Sequence, residues 1–287
     1  MPAAAANSSR HEQQHHARCR AMVRFNGLMF YGIAAASLLE AAVPLHAGHL
    51  AQALRGPHAL GPWLDQVWCP ERARHSRALR AYVAATWPEF DWDGAYGEFH
   101  EAYELRYGRE AWRRSAAMEL LWCCVTEAQI SVFYRALARC ADEAMLRELA
   151  HCAARDHVRY FEHFRHMFDC CPRRERVGFG TAWRMLLQFS RTARDREVAL
   201  AFHVADRHWN GQKAFVALRY GEFLSRMGMV ISRHAGLGPI QRLLFRPWAQ
   251  PLPGSAALAH VQTEAVRATT SAARAVPAGG IGRGLQA

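Results

Sequence analysis

With 287 residues, 51% of them apolar, the chain is long enough for one large domain with extensions and apolar enough for a real core, which excludes a wholly disordered protein. Basic residues outnumber acidic ones by 36 to 25, a formal net charge of +11, and every basic residue except Lys213 is arginine. The arginines are scattered and accompany no recognised motif, so nucleic acid is not an expected partner; charge alone speaks to solubility and non-specific binding. The 8 cysteines contain no C-x-x-C and include two vicinal pairs, Cys123–Cys124 and Cys170–Cys171, which fits a reduced, cytoplasmic chain better than a disulfide framework.

Residues 1–20 are polar and rich in Ala and His, and are expected to form a disordered tail. Residues 21–93 read as a helical, aromatic N-terminal extension. Within it the run Phe25 to Leu39 is uncharged and mostly apolar, with Arg24 before it and Glu40 behind. It falls short of the roughly twenty residues needed to span a bilayer. Three readings stay open: a helix packed on the domain or a partner, a membrane-associated segment, or a signal. The polar stretch before it, Pro44 and the lack of a clean A-x-A site argue against secretion, so a cytoplasmic location is expected and membrane association remains open. GPHALGPW and TWPEFDWDG break any long helix between Arg55 and Asp93, leaving a short helix from Glu71 to Ala85.

Residues 94–245 carry helical rather than strand patterning, so the domain is expected to be all-α, with a flexible tail over 246–287. A first helix runs from about Arg109 to Cys140, with Leu120, Cys124, Glu127, Ser131, Tyr134 and Ala138 at bundle-seam spacing. A second, N-capped by Asp142, carries Leu146, Ala150, Ala153, His157, Tyr160, Phe164 and Met167, and ends at Pro172. Gly178 and Gly180 prepare a turn. A third helix is expected from Thr181 to Trp209, a break at Asn210 and Gly211, and a fourth helix from Lys213 to His234. Connections this short make neighbouring helices antiparallel.

Glu127 is the residue to explain, because a carboxylate at a bundle seam must be paired, protonated or metal-bound. Either it is a metal ligand, or it hydrogen-bonds to Tyr134 or a neighbouring Arg or His, or it turns to the surface. Between Glu119 and Phe168 the segment TEAQISVFYRALARCADEAMLRELAHCAARDHVRYFEHF resembles the first helix pair of ferritin-like proteins, which present a Glu on one helix and E-x-x-H about thirty residues later on the next. Glu127 matches that Glu, Asp156 the residue before the motif and Phe164 its trailing aromatic. His157 and Tyr160 stand where E-x-x-H belongs.

The resemblance implies a ferritin-like four-helix bundle with extra N-terminal helices, holding iron or manganese. In that reading Glu127, Asp156, His157, Tyr160, Glu197 and His203 are the candidate ligands, and the activity is a metal-dependent oxidoreductase acting with dioxygen on a small-molecule substrate. No intact E-x-x-H occurs on the expected helices, and exchanging bridging carboxylates for other groups removes the negative charge that holds two cations together. The alternative is therefore a metal-free scaffold of the same fold with no cofactor, acting as a structural or partner-binding protein. A homo-oligomer is compatible with either. No phosphate-binding Gly-rich loop, G-x-S-x-G or H-E-x-x-H points to another chemistry.

Overall fold

The computed structural model describes residues 19–54, 60–109, 115–171, 180 and 194–234. Most of the expected N-terminal tail, the expected turn at Gly178, the first half of the expected third helix and the C-terminal tail lie outside the described residues. Among the described residues the protein is all-α, and no strand occurs.

The elements in order are α1 (Gly27–Ala41), α2 (Val43–Ala53), α3 (Cys69–Thr86), α4 (Trp92–Arg109), α5 (Ala116–Cys140), α6 (Ala144–Asp169), α7 (Arg194–Arg207) and α8 (Tyr220–His234). A short helical turn, Gly61–Trp63, and a π-helical turn, Leu64–Trp68, lead directly into α3. Asn26 caps α1 by accepting a hydrogen bond from the Met29 amide, and Ser115 caps α5 through the Met118 amide.

Helix α1 is the apolar run of the sequence, and the protein itself covers it: Phe30, Tyr31, Ile33, Ala34 and Leu38 are fully buried. A helix apolar on all sides needs either lipid or a surrounding core, and here α3, α4 and α7 pack around it. By length and composition α5 could also cross a membrane, but 61% of its most apolar window is buried inside the protein. The aromatic residues that break helices between 86 and 93 are core residues too. Phe30 sits edge-on to Trp87, Phe90 and Trp209, with ring centroids 4.9–5.3 Å apart. An isolated antiparallel bridge, Phe90 to Trp209, ties the loop after α3 to the loop after α7.

Helices α1 and α3, from the stretch 21–93, share one hydrophobic core with α5, α6 and α7. Two differences from the sequence expectation follow from packing. The short helix between the proline-rich segments is longer than expected, running over Cys69–Thr86. The last helix begins at Tyr220 rather than Lys213. Gly211 adopts a positive φ of 86°, and the irregular residues after it drive Phe215 and Leu218 into the core, with the Phe215 ring 4.9 Å from that of Phe30. Val216 between them is left exposed. Gly27 is the point of closest approach to this segment, since a Cβ there would lie 2.8 Å from the Val216 carbonyl oxygen.

A buried cluster of charged side chains

Four helices each send a charged side chain to one point in the core: Glu40 from α1, Arg72 from α3, Glu127 from α5 and His157 from α6. Their exposures are 2%, 5%, 1% and 0%, so water stabilises none of them and each charge must be met by another.

Arg72 donates from Nε to Glu40 Oε2 and from Nη1 to Glu127 Oε1, the latter at 3.1 Å. His157 spans the same two carboxylates, through Nδ1 to Glu127 Oε2 and through Nε2 to Glu40 Oε1 at 3.1 Å. Tyr134 donates to Glu40 Oε1 at 2.9 Å, and the indole of Trp68, at the end of the π-helical turn, donates to Glu127 Oε1 at 3.2 Å. All four carboxylate oxygens therefore accept at least one hydrogen bond.

The charge state follows from this wiring. A neutral imidazole has one N–H, and its other nitrogen would set a lone pair against a carboxylate oxygen; only imidazolium donates to both. Burial by itself pushes the His157 pKa down, but the charge of Glu127 and the hydrogen bonds to Glu127 and Glu40 outweigh it and raise the pKa. Burial likewise works against ionising Glu40 and Glu127. The charge of Arg72 overcomes it, with help from His157, and both carboxyls are held below their ordinary range. Arg72 is held cationic by the two carboxylates against its own desolvation. Two negative and two positive groups close on one another with no net charge.

A second layer lies between α3 and α6. His75, one turn after Arg72, places Nε2 2.9 Å from Asp156 Oδ2, while its Nδ1 has no hydrogen-bond partner. Asp156 is also paired with Arg159 and, at 3.5 Å, with Arg74. Tyr160 donates to Glu71 Oε2 at 2.7 Å, and Arg159 holds the same carboxylate at 3.0 Å. Burial and the neighbouring Glu71 push the Tyr160 phenol far above its usual pKa, so it is a neutral donor.

The structure thus brings Glu127 and His157 into direct contact, and sets Asp156 and Tyr160 at the flank facing α3. Glu197, on α7, borders a small cavity of about 50 Å³ that Arg72, Glu127, His46 and Thr126 also line. His203 is exposed on α7 and meets the rings of Phe202 and Tyr220 instead.

The partners of Glu127 and His157 come from the N-terminal helices, and Glu40, Arg72 and His75 were not candidates in the sequence. A signal for them existed. Glu40 precedes Arg72 by 32 residues, and Glu127 precedes His157 by 30. Each hairpin therefore carries a Glu on its first helix and, on its second, two polar residues three apart: Arg72 with His75, and His157 with Tyr160. Glu40, His75 and His157 also form a group whose ligand atoms lie within 4.8 Å of one another, close enough to converge on a metal ion. No protein-family model, curated protein or solved structure matches the chain.

Proposed function

We propose that the protein is a metal-free relative of the ferritin-like carboxylate bundles, in which side-chain cations do the work of the metal ions and the helical scaffold serves a structural or partner-binding role. The observation that carries this reading is that Arg72 and His157 each bridge both Glu40 and Glu127. In a carboxylate-bridged dimetal bundle, two helices supply one Glu each and the other two supply E-x-x-H, so four carboxylates balance two divalent ions. In this reading Glu40 and Glu127 take the first role, which the similar spacing from Glu40 to Arg72 and from Glu127 to His157 supports. Arg72 and His157 take the positions of the two bridging carboxylates, and His75 and Tyr160 those of the two histidines. Exchanging two anions for two cations leaves two carboxylates to balance, and Arg72 and His157 balance them without a metal.

A metal-dependent oxidoreductase is the second reading, favoured by the convergence of Glu40, His75 and His157. Such a site has the right ligand types for iron, manganese or zinc. Occupying it requires His157 to release its proton and Glu40 to give up donors, and it places a dication beside the Arg72 guanidinium. Those costs rank it second.

The deciding experiment is elemental analysis of protein purified without tag or chelator, paired with thermal melting before and after chelator treatment. Substoichiometric metal and an unchanged melting temperature support the metal-free reading. About one equivalent of iron, manganese or zinc, lost in Glu40→Ala and His75→Ala, overturns it in favour of the second.

A further inference from the structure

Before α1, residues 19–24 are helical, and this short segment is tied to the ends of two other helices. Its anchors are two arginines one turn apart. Arg24 donates from Nη1 to the carbonyl of Thr86, the last residue of α3, at 2.9 Å, and pairs through Nη2 with Glu89. Arg20 reaches Glu143, the N-cap residue of α6, with Nε and Nη2 both 3.0 Å from Oε1. Trp87 returns one bond, its indole donating to the Arg24 carbonyl at 3.1 Å. A guanidinium at the end of α3 and a carboxylate at the start of α6 both suit the dipoles of those ends.

Charge rather than apolar burial holds the segment. Of residues 19–24 Val23 alone is buried, and Met22 is 68% exposed. Two carboxylates are reserved for it: among the described residues Glu143 and Glu89 form ion pairs with Arg20 and Arg24 and with no other group, on a chain with 36 basic residues. The Glu143 side chain is wholly buried, so without Arg20 its charge has no counterion. The fit is nonetheless incomplete. Both Arg20 nitrogens share Oε1 of Glu143, while its Oε2, like Oε2 of Glu89, has no hydrogen-bond partner. An arginine satisfies a carboxylate best with one N–H on each oxygen. A competing arginine that met both oxygens would satisfy the orphaned acceptor, and a segment with one buried side chain opens more readily than the core.

We propose that residues 19–24 are a detachable internal ligand, and that their seat, Glu143 with Glu89 and the Thr86 carbonyl, docks a partner-protein helix carrying two arginines one turn apart. The segment itself defines what the seat takes: one guanidinium for each carboxylate, four residues apart, with an aliphatic side chain in the place of Val23. Acidic and purely apolar helices do not fit, because the buried charge of Glu143 then stays unpaired. Such a helix is the partner class for the partner-binding role proposed above, on which this inference rests. Metal content tests the buried cluster and peptide binding tests the seat, so either reading can fail alone.

The test is a fluorescence-anisotropy titration of a labelled peptide of residues 17–26 with full-length Arg20→Ala, Arg24→Ala protein, whose seat is intact and whose own segment is loosened. Saturable binding is expected, at least about tenfold tighter than to wild type, where the tethered segment competes at high effective concentration. Adding Glu143→Gln should weaken the peptide at least about tenfold, and a peptide carrying Arg20→Glu and Arg24→Glu should not bind. Equal binding to wild type, indifference to Glu143→Gln, or no saturable binding by the folded variant overturns the proposal. Hydrogen exchange of the wild-type protein adds a check that needs no variant. The Phe25 and Asn26 amides, bonded to the Met22 and Val23 carbonyls, should exchange at least about a hundredfold faster than the slowest amides of α5 and α6. Equal protection also overturns the proposal, since the segment then leaves only when the whole fold does.

Discussion

Replacing Arg72 by Met isolates the electrostatics of the buried cluster while keeping most of the side-chain volume. The wild-type guanidinium is 5% exposed and supplies a hydrogen bond to each of Glu40 and Glu127. Without it two buried carboxylates share one imidazolium, leaving one uncompensated negative charge and Glu40 Oε2 without a donor, while Glu127 Oε1 keeps the indole of Trp68. Breaking a buried ion pair by removing one partner costs about 3–5 kcal/mol. For a domain of this size that is a fall of roughly 6–20 °C in melting temperature. The assay is urea unfolding by circular dichroism with a calorimetric melt. The companion variant Arg72→Met, Glu40→Met, Glu127→Met, His157→Phe removes all four charges at once and should recover most of the loss, because well-packed apolar groups in place of a buried ion network are often neutral or stabilising. A loss below about 1 kcal/mol for Arg72→Met, or a quadruple variant less stable than the single one, refutes a closed, mutually compensating cluster.

Further predictions follow from the same geometry. Glu127→Ala should destabilise by about 3–5 kcal/mol, since it strands Arg72 and His157 with Glu40 alone; unchanged or improved stability in unfolding assays would show the carboxylate to be merely tolerated. The pH dependence has a definite sign. The raised His157 pKa contributes stability that is complete below about 6.5 and is lost as pH rises through the folded value. The lowered Glu40 and Glu127 pKa values contribute stability that is complete above about 4.5 and lost as pH falls through their depressed values. Stability against pH should therefore decline on the alkaline side in wild type and not in His157→Gln; equal alkaline slopes would count against an imidazolium. Tyr160→Phe should cost about 1–3 kcal/mol for the lost bond to the Glu71 carboxylate, and protein given ferric iron should show no phenolate charge-transfer band in either form. A visible band that vanishes on substitution would make Tyr160 a ligand.

Helical patterning over α5 and α6 was readable because α6 is amphipathic and α5 is a long apolar run without breakers, with seam residues such as Leu120, Tyr134, Leu146 and Phe164 buried at the expected spacing. Glu127 stood out for the same reason, as a carboxylate within an apolar stripe. Its partners did not. Glu40 ends a run apolar on every side, where periodicity carries no face, and Arg72 lies in a stretch of α3 so rich in arginine that one buried guanidinium looks like its solvated neighbours Arg74, Arg77 and Arg80. Burial of Arg72 depends on contacts with Glu40 and Glu127, distant in sequence, that no local window contains. The start of α8 was misjudged because Lys213 to Arg219 has helical composition, while Phe215 and Leu218 gain more from the aromatic pocket around Phe30 than from continuing a helix.

The central claim is that Arg72 and His157 stand in for metal ions, and the most direct measurement is the metal content of Arg72→Glu, His157→Glu, Tyr160→His beside wild type. The variant regenerates a Glu and an E-x-x-H in each hairpin around Glu40, His75 and Glu127. Incubated with manganese or ferrous iron and desalted, it should retain about two equivalents and gain thermal stability from them, while wild type retains none. A wild type that holds metal as tightly as the variant, or a folded variant that holds none, would contradict the account.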